Sequence, residues 1–421
     1  MLISKKFTSD LIWNFFSLGI LACSGIIINI FIARYYGSSY LGVFNQVFAI
    51  YILLSQFAIG GVHFSTLKHI SYNQNKPDTI TEITISALIL GISLSLIVSA
   101  LTYLFRHSVG DLLESPDVGF GLMLIAPGLI FFSVNKILLN VLNGLNLMIA
   151  YAIFQAMRYI LILASIVGLC ILSYPGKYLS VSITLAEIIL SLGMIIYLFY
   201  YVLSYKNIYL SKFWILEHIS FGLRGFMSGA LSELNTRVDV LTIGYFLSDS
   251  MVGIYSFAAI IAEGIAQVSI VLRRNIDPLI GEYFSKNNFL EIELYSKKIK
   301  KIFPGAIFFA SLITILFYPF ILRIFIDKTD FQSSFLVLII LMFGVVLNSF
   351  YRPFLGILLQ GDRPGHHTLL VSILIIVNLL GNVLLIPLLG IYGAAIATAI
   401  VYVLEGILIK LFASKYLAIS I

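Results

Sequence analysis

Apolar stretches of bilayer length alternate with short polar joins along the whole chain. A transmembrane helix needs about 20 predominantly apolar residues, and windows of that kind run up to Ala33 and then over about 41–66, 81–105, 119–145, 151–173 and 178–203. After a basic, aromatic segment at 205–217 they resume at about 218–247, 252–274, 302–326, 331–360, 367–389 and 392–413. The pattern predicts an all-α polytopic membrane protein of about twelve transmembrane helices. The first run is too long for a cleaved signal segment and reads as a membrane span, although Lys5 and Lys6 precede it.

A repeat divides the twelve spans into two sixes. The join of spans one and two reads SSYLGVF (38–44), and that of spans seven and eight reads DSMVGIY (249–255), which aligns Gly42 with Gly253. Span four ends in VLNGLN (141–146) and span ten in LLQGDR (358–363), which aligns Gly144 with Gly361. The expected organisation is an N-terminal six-helix lobe over 1–205 and a C-terminal lobe over 206–421. Transporters built from such parallel repeats place their substrate site between the halves.

Composition agrees with the pattern: 60% of residues are hydrophobic and 11% charged, with mean hydropathy +1.02. The net charge of +6 does not point to nucleic acid, because no soluble basic face exists to bind it. Its distribution sets orientation instead. Lys5, Lys6, Lys68, Lys76, Lys206, Lys212, Arg273, Arg274, Lys286, the lysines from 297 to 301, Arg363, Lys410 and Lys415 fall on one side, against Arg34, Arg106, Lys177, Arg323 and Lys328 on the other. The positive-inside rule then puts both termini in the cytoplasm. Cys23 and Cys170 fall inside spans and imply no disulfide framework.

No zinc-protease, Walker, nucleophile-elbow or Cys/His metal spacing occurs, and the His366–His367 pair reads as an interfacial loop, so neither catalysis nor a metal or cofactor is expected. The longest break, at 275–301, ends in an amphipathic stretch with Phe289, Ile292, Tyr295, Ile299 and Ile302 on one face and lysines on the other. That spacing predicts a short interfacial helix against anionic headgroups, or a simple topology anchor.

Charges inside the spans are the candidate functional groups, since each costs roughly 2.5–3.5 kcal/mol near a bilayer centre on insertion scales. Lys136 and Arg352 precede the repeat-equivalent glycines and lie roughly 12–14 Å from the inner end at 1.5 Å per residue. Arg158 and Arg224 reach similar depth, and Arg237 lies further along span seven. A cavity lined by such cations would attract a pyrophosphate; snorkelling or internal ion pairs are the alternatives. Pro353 predicts a helix break beside Arg352.

Among the acids, Glu233 and Arg237 have the one-turn spacing of an ion pair, while Asp239 points about 120° away from Glu233 and about 60° from Arg224. Glu263 has no cation at helical spacing on its own helix. With Asp239, Glu233 and Glu187 it is a candidate for coupling to an ion. Asn135, Asn140, Asn143 and Asn146 fit either sugar contacts or interhelical hydrogen bonds.

The two joins, the RVDVLTIGYFL run of span seven (237–247) and the GIYGAAIATAIVYVLEG ending (390–406) resemble the O-antigen flippases of the Wzx type. These belong to the multidrug/oligosaccharidyl-lipid/polysaccharide exporter superfamily. The resemblance implies a V-shaped MATE-like fold with alternating access, a bacterial inner-membrane location and coupling to an ion gradient. It also implies a substrate, an O-antigen or related repeat unit on undecaprenyl pyrophosphate, that is moved from the cytoplasmic to the periplasmic leaflet. Membrane lipids, a polysaccharide polymerase and chain-length proteins are the implied partners. A drug/proton antiporter of the same fold is the alternative, disfavoured by a cation-lined cavity. A polymerase or ligase of lipid-linked glycans is disfavoured by the short outer loops.

Overall fold

The structure, a computed structural model, describes residues 5–202 and 211–421; the side chains at 5–12, 14–18, 22, 224, 225, 227–230 and 232 lie outside the description. The lobe boundary expected at 205/206 also falls outside the described residues. Those residues contain α-helices with short 3-10 and π turns and no strand.

The first half contains α1 (Lys5–Ile59), α2 (Val62–Tyr72), α3 (Pro77–Leu112), α4 (Pro116–Gly144), α5 (Met148–Ile171) and α6 (Val181–Tyr201). The second contains α7 (Lys212–Phe246), α8 (Asp249–Ser285), α9 (Phe289–Ile321), α10 (Ser334–Asn348), α11 (Ile357–Gln360), α12 (Pro364–Leu389) and α13 (Ile391–Leu417). Among the described residues, ten helices are long and apolar enough to cross a membrane by length and composition. The apolar part of α1 alone, 41 residues from Gly19, is about 60 Å long at 1.5 Å per residue, twice a hydrocarbon core. It breaks at Gly37, whose φ of 90° only glycine adopts readily, and so counts as spans one and two. Counting α7, which lies outside those ten, as span seven gives the twelve expected spans.

Three boundaries differ from the sequence pattern. Span two ends at Ile59, where Gly60 and Gly61 both take positive φ and redirect the chain into the separate α2. Span ten is broken: α10 stops at Asn348, a 3-10 turn runs over Arg352–Phe354, and α11 follows. Pro353 lacks the amide a continuing helix needs, as expected from sequence. The short interfacial helix is not separate. Its residues form the first turns of α9, because Ile292, Tyr295 and Ile299 continue the stripe that packs into the core below.

The helices form two compact units, one of the residues up to Tyr36 with Val43–Glu233, the other of Gly37–Gly42 with Leu234–Ile421. The first is centred on Ile83, Leu138, Leu142, Leu190 and Met194, contributed by α3, α4 and α6. The second is centred on Ile276, Ile280, Phe354, Leu370 and Ile409. Small residues set the approach of helices, as expected where lipid supplies no hydrophobic drive between them. A Cβ on Gly128 of α4 would lie 2.6 Å from Thr184 Oγ1 of α6, and that hydroxyl donates to the Leu124 carbonyl at 2.7 Å. In the second unit the repeated joins meet reciprocally. A Cβ on Gly42 would overlap the Asp249 carbonyl, and one on Gly253 the Ser38 carbonyl. Outward faces carry stripes such as Phe309, Ile313, Leu316 and Phe320 of α9, all exposed as lipid-facing positions should be.

Candidate functional site

In the first unit the charged residues gather around Glu187 of α6, whose side chain is 1% exposed. Its carboxylate accepts Asn135 Nδ2 of α4 at 2.6 Å and the Tyr51 hydroxyl of α1 at 3.2 Å. Arg158 of α5 pairs with it at 3.0 Å and lies over the Phe132 ring at 4.9 Å. Ser191 completes the set by donating to Asn135 Oδ1 at 2.7 Å. Arg158 is thus turned inward to a carboxylate and does not snorkel outward. Its Nη2 is nonetheless buried with no hydrogen-bond partner, a donor left available beside the pair.

Lys136 follows Asn135 on α4 and is turned away from that clasp. It is half-buried, makes no ion pair among the described residues, and is acted on electrostatically by Arg158, Glu233 and Glu187. His63 of α2 is also within its electrostatic reach, buried, with an Nδ1 that has no hydrogen-bond partner. A phosphate oxygen could be met here by one ammonium and the spare guanidinium nitrogen, both charge-assisted donors. Arg224 lies on α7, and its side chain falls outside the described residues.

The second unit repeats the clasp. Glu405 of α13 accepts Asn348 Nδ2 of α10 at 2.8 Å and pairs with Arg352 Nη1 at 2.8 Å, with the guanidinium over Tyr402 at 5.5 Å. The broken span makes this possible, because Arg352 leaves the helix just where its side chain must reach across to α13. Glu263 of α8 is half-buried within the electrostatic reach of the acid Asp239 and of two cations, Arg237 and Arg352, supplied by other elements where its own helix offers none at helical spacing.

Asp239 of α7 has a different setting. One oxygen accepts Asn382 Nδ2 of α12 at 2.9 Å; the other accepts the Tyr255 hydroxyl of α8 at 2.8 Å and the Thr398 hydroxyl of α13 at 2.6 Å. All three donors are neutral. Asn382 also bonds Asn378 Oδ1 at 2.9 Å, while its own Oδ1 is buried without a partner. Four helices thus converge on one carboxylate and several neutral oxygens, chemistry that suits a proton or a small monovalent cation.

Tyr51, His63, Asn348, Tyr255, Asn378, Asn382 and Thr398 are not among the residues that sequence singles out. Asn378 and Asn382, one turn apart in an apolar span, were the available signal. Among the described residues no group of three or more His, Cys, Asp or Glu side chains could hold a metal.

A family model described as polysaccharide biosynthesis protein matches residues 7–272. The chain is 29% identical over 191 residues to the probable low-salt glycan biosynthesis flippase Agl15 of Haloferax volcanii, a stretch covering 44% of this chain and 39% of that relative. Among solved structures it is similar to the lipid II flippase MurJ in an inward closed conformation. The TM-score is 0.76 at 16% identity, covering 97% of this chain and 88% of MurJ. An inward-facing multidrug resistance MATE transporter of the MOP superfamily matches at TM-score 0.74 and 16% identity, over 94% of both chains. These neighbours are named as flippases and transporters, not as catalysts of a chemical reaction. With a match spanning well over half its length, the chain belongs to the polysaccharide biosynthesis protein family, and it has the MATE-like fold of MurJ and the multidrug transporters.

Proposed function

We propose that the protein is a flippase for a lipid-linked oligosaccharide, an O-antigen or related repeat unit on undecaprenyl pyrophosphate. It would turn this substrate from the cytoplasmic to the periplasmic leaflet of a bacterial inner membrane by alternating access, with both termini cytoplasmic. The observation that carries this reading is Lys136, an intramembrane cation with no ion-pair partner among the described residues and with the unsatisfied Nη2 of Arg158 in the same unit. A buried charge at such depth is retained where a ligand meets it, and the pyrophosphate is the anionic part of this substrate. The family match and the likeness to MurJ support the same reading.

Arg352 and Arg237 serve this function differently from Lys136. Arg352 is committed to Glu405 and holds α10 to α13; Arg237 sets the field around Glu263. Ion coupling is assigned to Asp239, the carboxylate surrounded by neutral donors, with Glu263 second. Glu233 balances Lys136, and Glu187 is structural. A polysaccharide polymerase and chain-length proteins would act on the delivered unit.

Complementation of a flippase-deficient strain tests the reading, scored as surface polysaccharide with polymerase and ligase present. Wild-type protein should restore it, and Lys136→Ala at equal membrane abundance should not. Full restoration by Lys136→Ala would remove the anion-capture role.

A further inference from the structure

The first turns of α9 carry lysines that the transport site does not use. Their position is fixed rather than splayed: Ile292 is buried beneath them, and the chain beyond α13 folds back so that Ile419 and Ile421 are buried in the same core. The Ser420 amide donates to Glu293 Oε1 at 2.7 Å, which ties that tail to α9. Lys300 is half-buried on this platform, with its ammonium 4.7 Å from the centre of the Tyr351 ring, at the break in span ten. Tyr351 itself rests on α13, where a Cβ on Gly406 would lie 3.3 Å from its ring.

The charges acting on Lys300 are Lys410 of α13 and Lys297 of α9, both exposed. No ion pair among the described residues involves any of the three. Two helices therefore bring three ammonium groups within electrostatic reach of one another, one of them over an aromatic face, and none of the three is held in an ion pair among the described residues. Like charges held this way by a folded platform gain from an anion that bridges them. An aromatic ring beneath one ammonium sets its direction.

We propose that Lys297, Lys300 and Lys410, with Tyr351 beneath them, form a binding site for the phosphate group of a membrane lipid at the cytoplasmic ends of α9 and α13. The sidedness rests on the orientation adopted for the proposed function; the site itself does not. The bound phosphate can be the pyrophosphate of the polyprenyl-linked substrate or that of a bulk anionic phospholipid. In either case the acyl or prenyl chain lies along the apolar outer face of α9, where Phe309, Ile313 and Phe317 are exposed.

Lysine acetylation of the full-length protein in lipid nanodiscs, read by peptide mass spectrometry, tests the site. Nanodiscs contain phosphatidylcholine alone, with phosphatidylglycerol, or with a trace of undecaprenyl pyrophosphate. A fourth sample holds phosphatidylcholine with soluble inorganic pyrophosphate. Labelling of Lys297, Lys300 and Lys410 should fall with an anionic lipid, while Lys286, already bonded to Glu282 at 2.6 Å, serves as reference. Each lysine near a membrane surface contributes about fivefold to affinity, so Lys300→Gln with Lys410→Gln should raise the lipid dose for half-protection of Lys297 about 25-fold. Protection by undecaprenyl pyrophosphate at trace level identifies the substrate as the source. Protection by phosphatidylglycerol alone identifies bulk lipid, and stands even if complementation fails. Equal labelling in all samples, or protection by soluble pyrophosphate equal to that by lipid, would overturn the proposal.

Discussion

Glu187 and Glu405 occupy matching places in the two halves of the chain. Each is buried on the sixth span of its half, accepts an asparagine amide from the fourth, and is paired with an arginine. Removing one partner of a buried ion pair costs about 3–5 kcal/mol, because the other charge stays buried and uncompensated. Glu187→Gln and Glu405→Gln should therefore each lower thermal stability in detergent strongly. The doubles Arg158→Gln/Glu187→Gln and Arg352→Gln/Glu405→Gln should each be more stable than the corresponding single. Additive losses in the doubles would show that the pairs are not coupled.

The reciprocal contact of Gly42 with Asp249 and Gly253 with Ser38 leaves no room for a methyl group. Overpacking a tight helix contact costs about 1–3 kcal/mol, so Gly42→Ala and Gly253→Ala should reduce folded yield by fluorescence-detected size exclusion. Gly264→Ala is the control: nothing lies within 4 Å of its Cβ, and it should be neutral or stabilising by up to about 1 kcal/mol.

Asp239→Asn keeps the size of the side chain but removes its charge. In proteoliposomes it should abolish the dependence of transport on an imposed proton or sodium gradient while lipid substrate still binds. Tyr255→Phe and Thr398→Val should weaken that dependence in the same direction, each by removing one donor to the carboxylate. Gradient-dependent transport by Asp239→Asn at the wild-type level would move coupling elsewhere.

A pH effect is expected at the C-terminal end of α2, outside the spans. His69 faces Glu217 at 3.3 Å, with Lys68 close by and His218 within reach. Burial, the largest cause, together with Lys68 holds His69 below the usual imidazole range against the opposing pull of Glu217. The unfolded chain then binds the proton more readily, so stability is full above about pH 6.5 and declines as pH falls below it. Melting temperatures recorded from pH 8 to pH 5 should show a steeper acid loss for wild type than for His69→Gln.

Much of the architecture was legible because lipid makes it so: every span must satisfy its own backbone, and apolar length marks it. The break at Arg352–Pro353 was legible for the same local reason. The break at Gly37 was legible too, since it falls in the polar stretch between the run that ends at Ala33 and the one that starts at 41; the end of span two at Ile59 was not, since apolar residues continue past Gly60 and Gly61. Nor were the partners of the charges. Arg158 and Glu187 are far apart in sequence, and only packing of α5 on α6 brings them together. The cations near Glu263 likewise come from α7 and the broken span, and no periodicity along α8 reports them.

Asn135 and Lys136 are adjacent on α4, about 100° apart around its axis. The first is pegged by three hydrogen bonds, to the Glu187 carboxylate and carbonyl and from Ser191, so the helix cannot roll. The aim of the lysine is therefore inherited from a neutral neighbour whose amide is spent on bonds within the fold. Slipping the register of α4 by one residue would press the ammonium onto Glu187 and leave the apolar side chain of Ile137 in its former place.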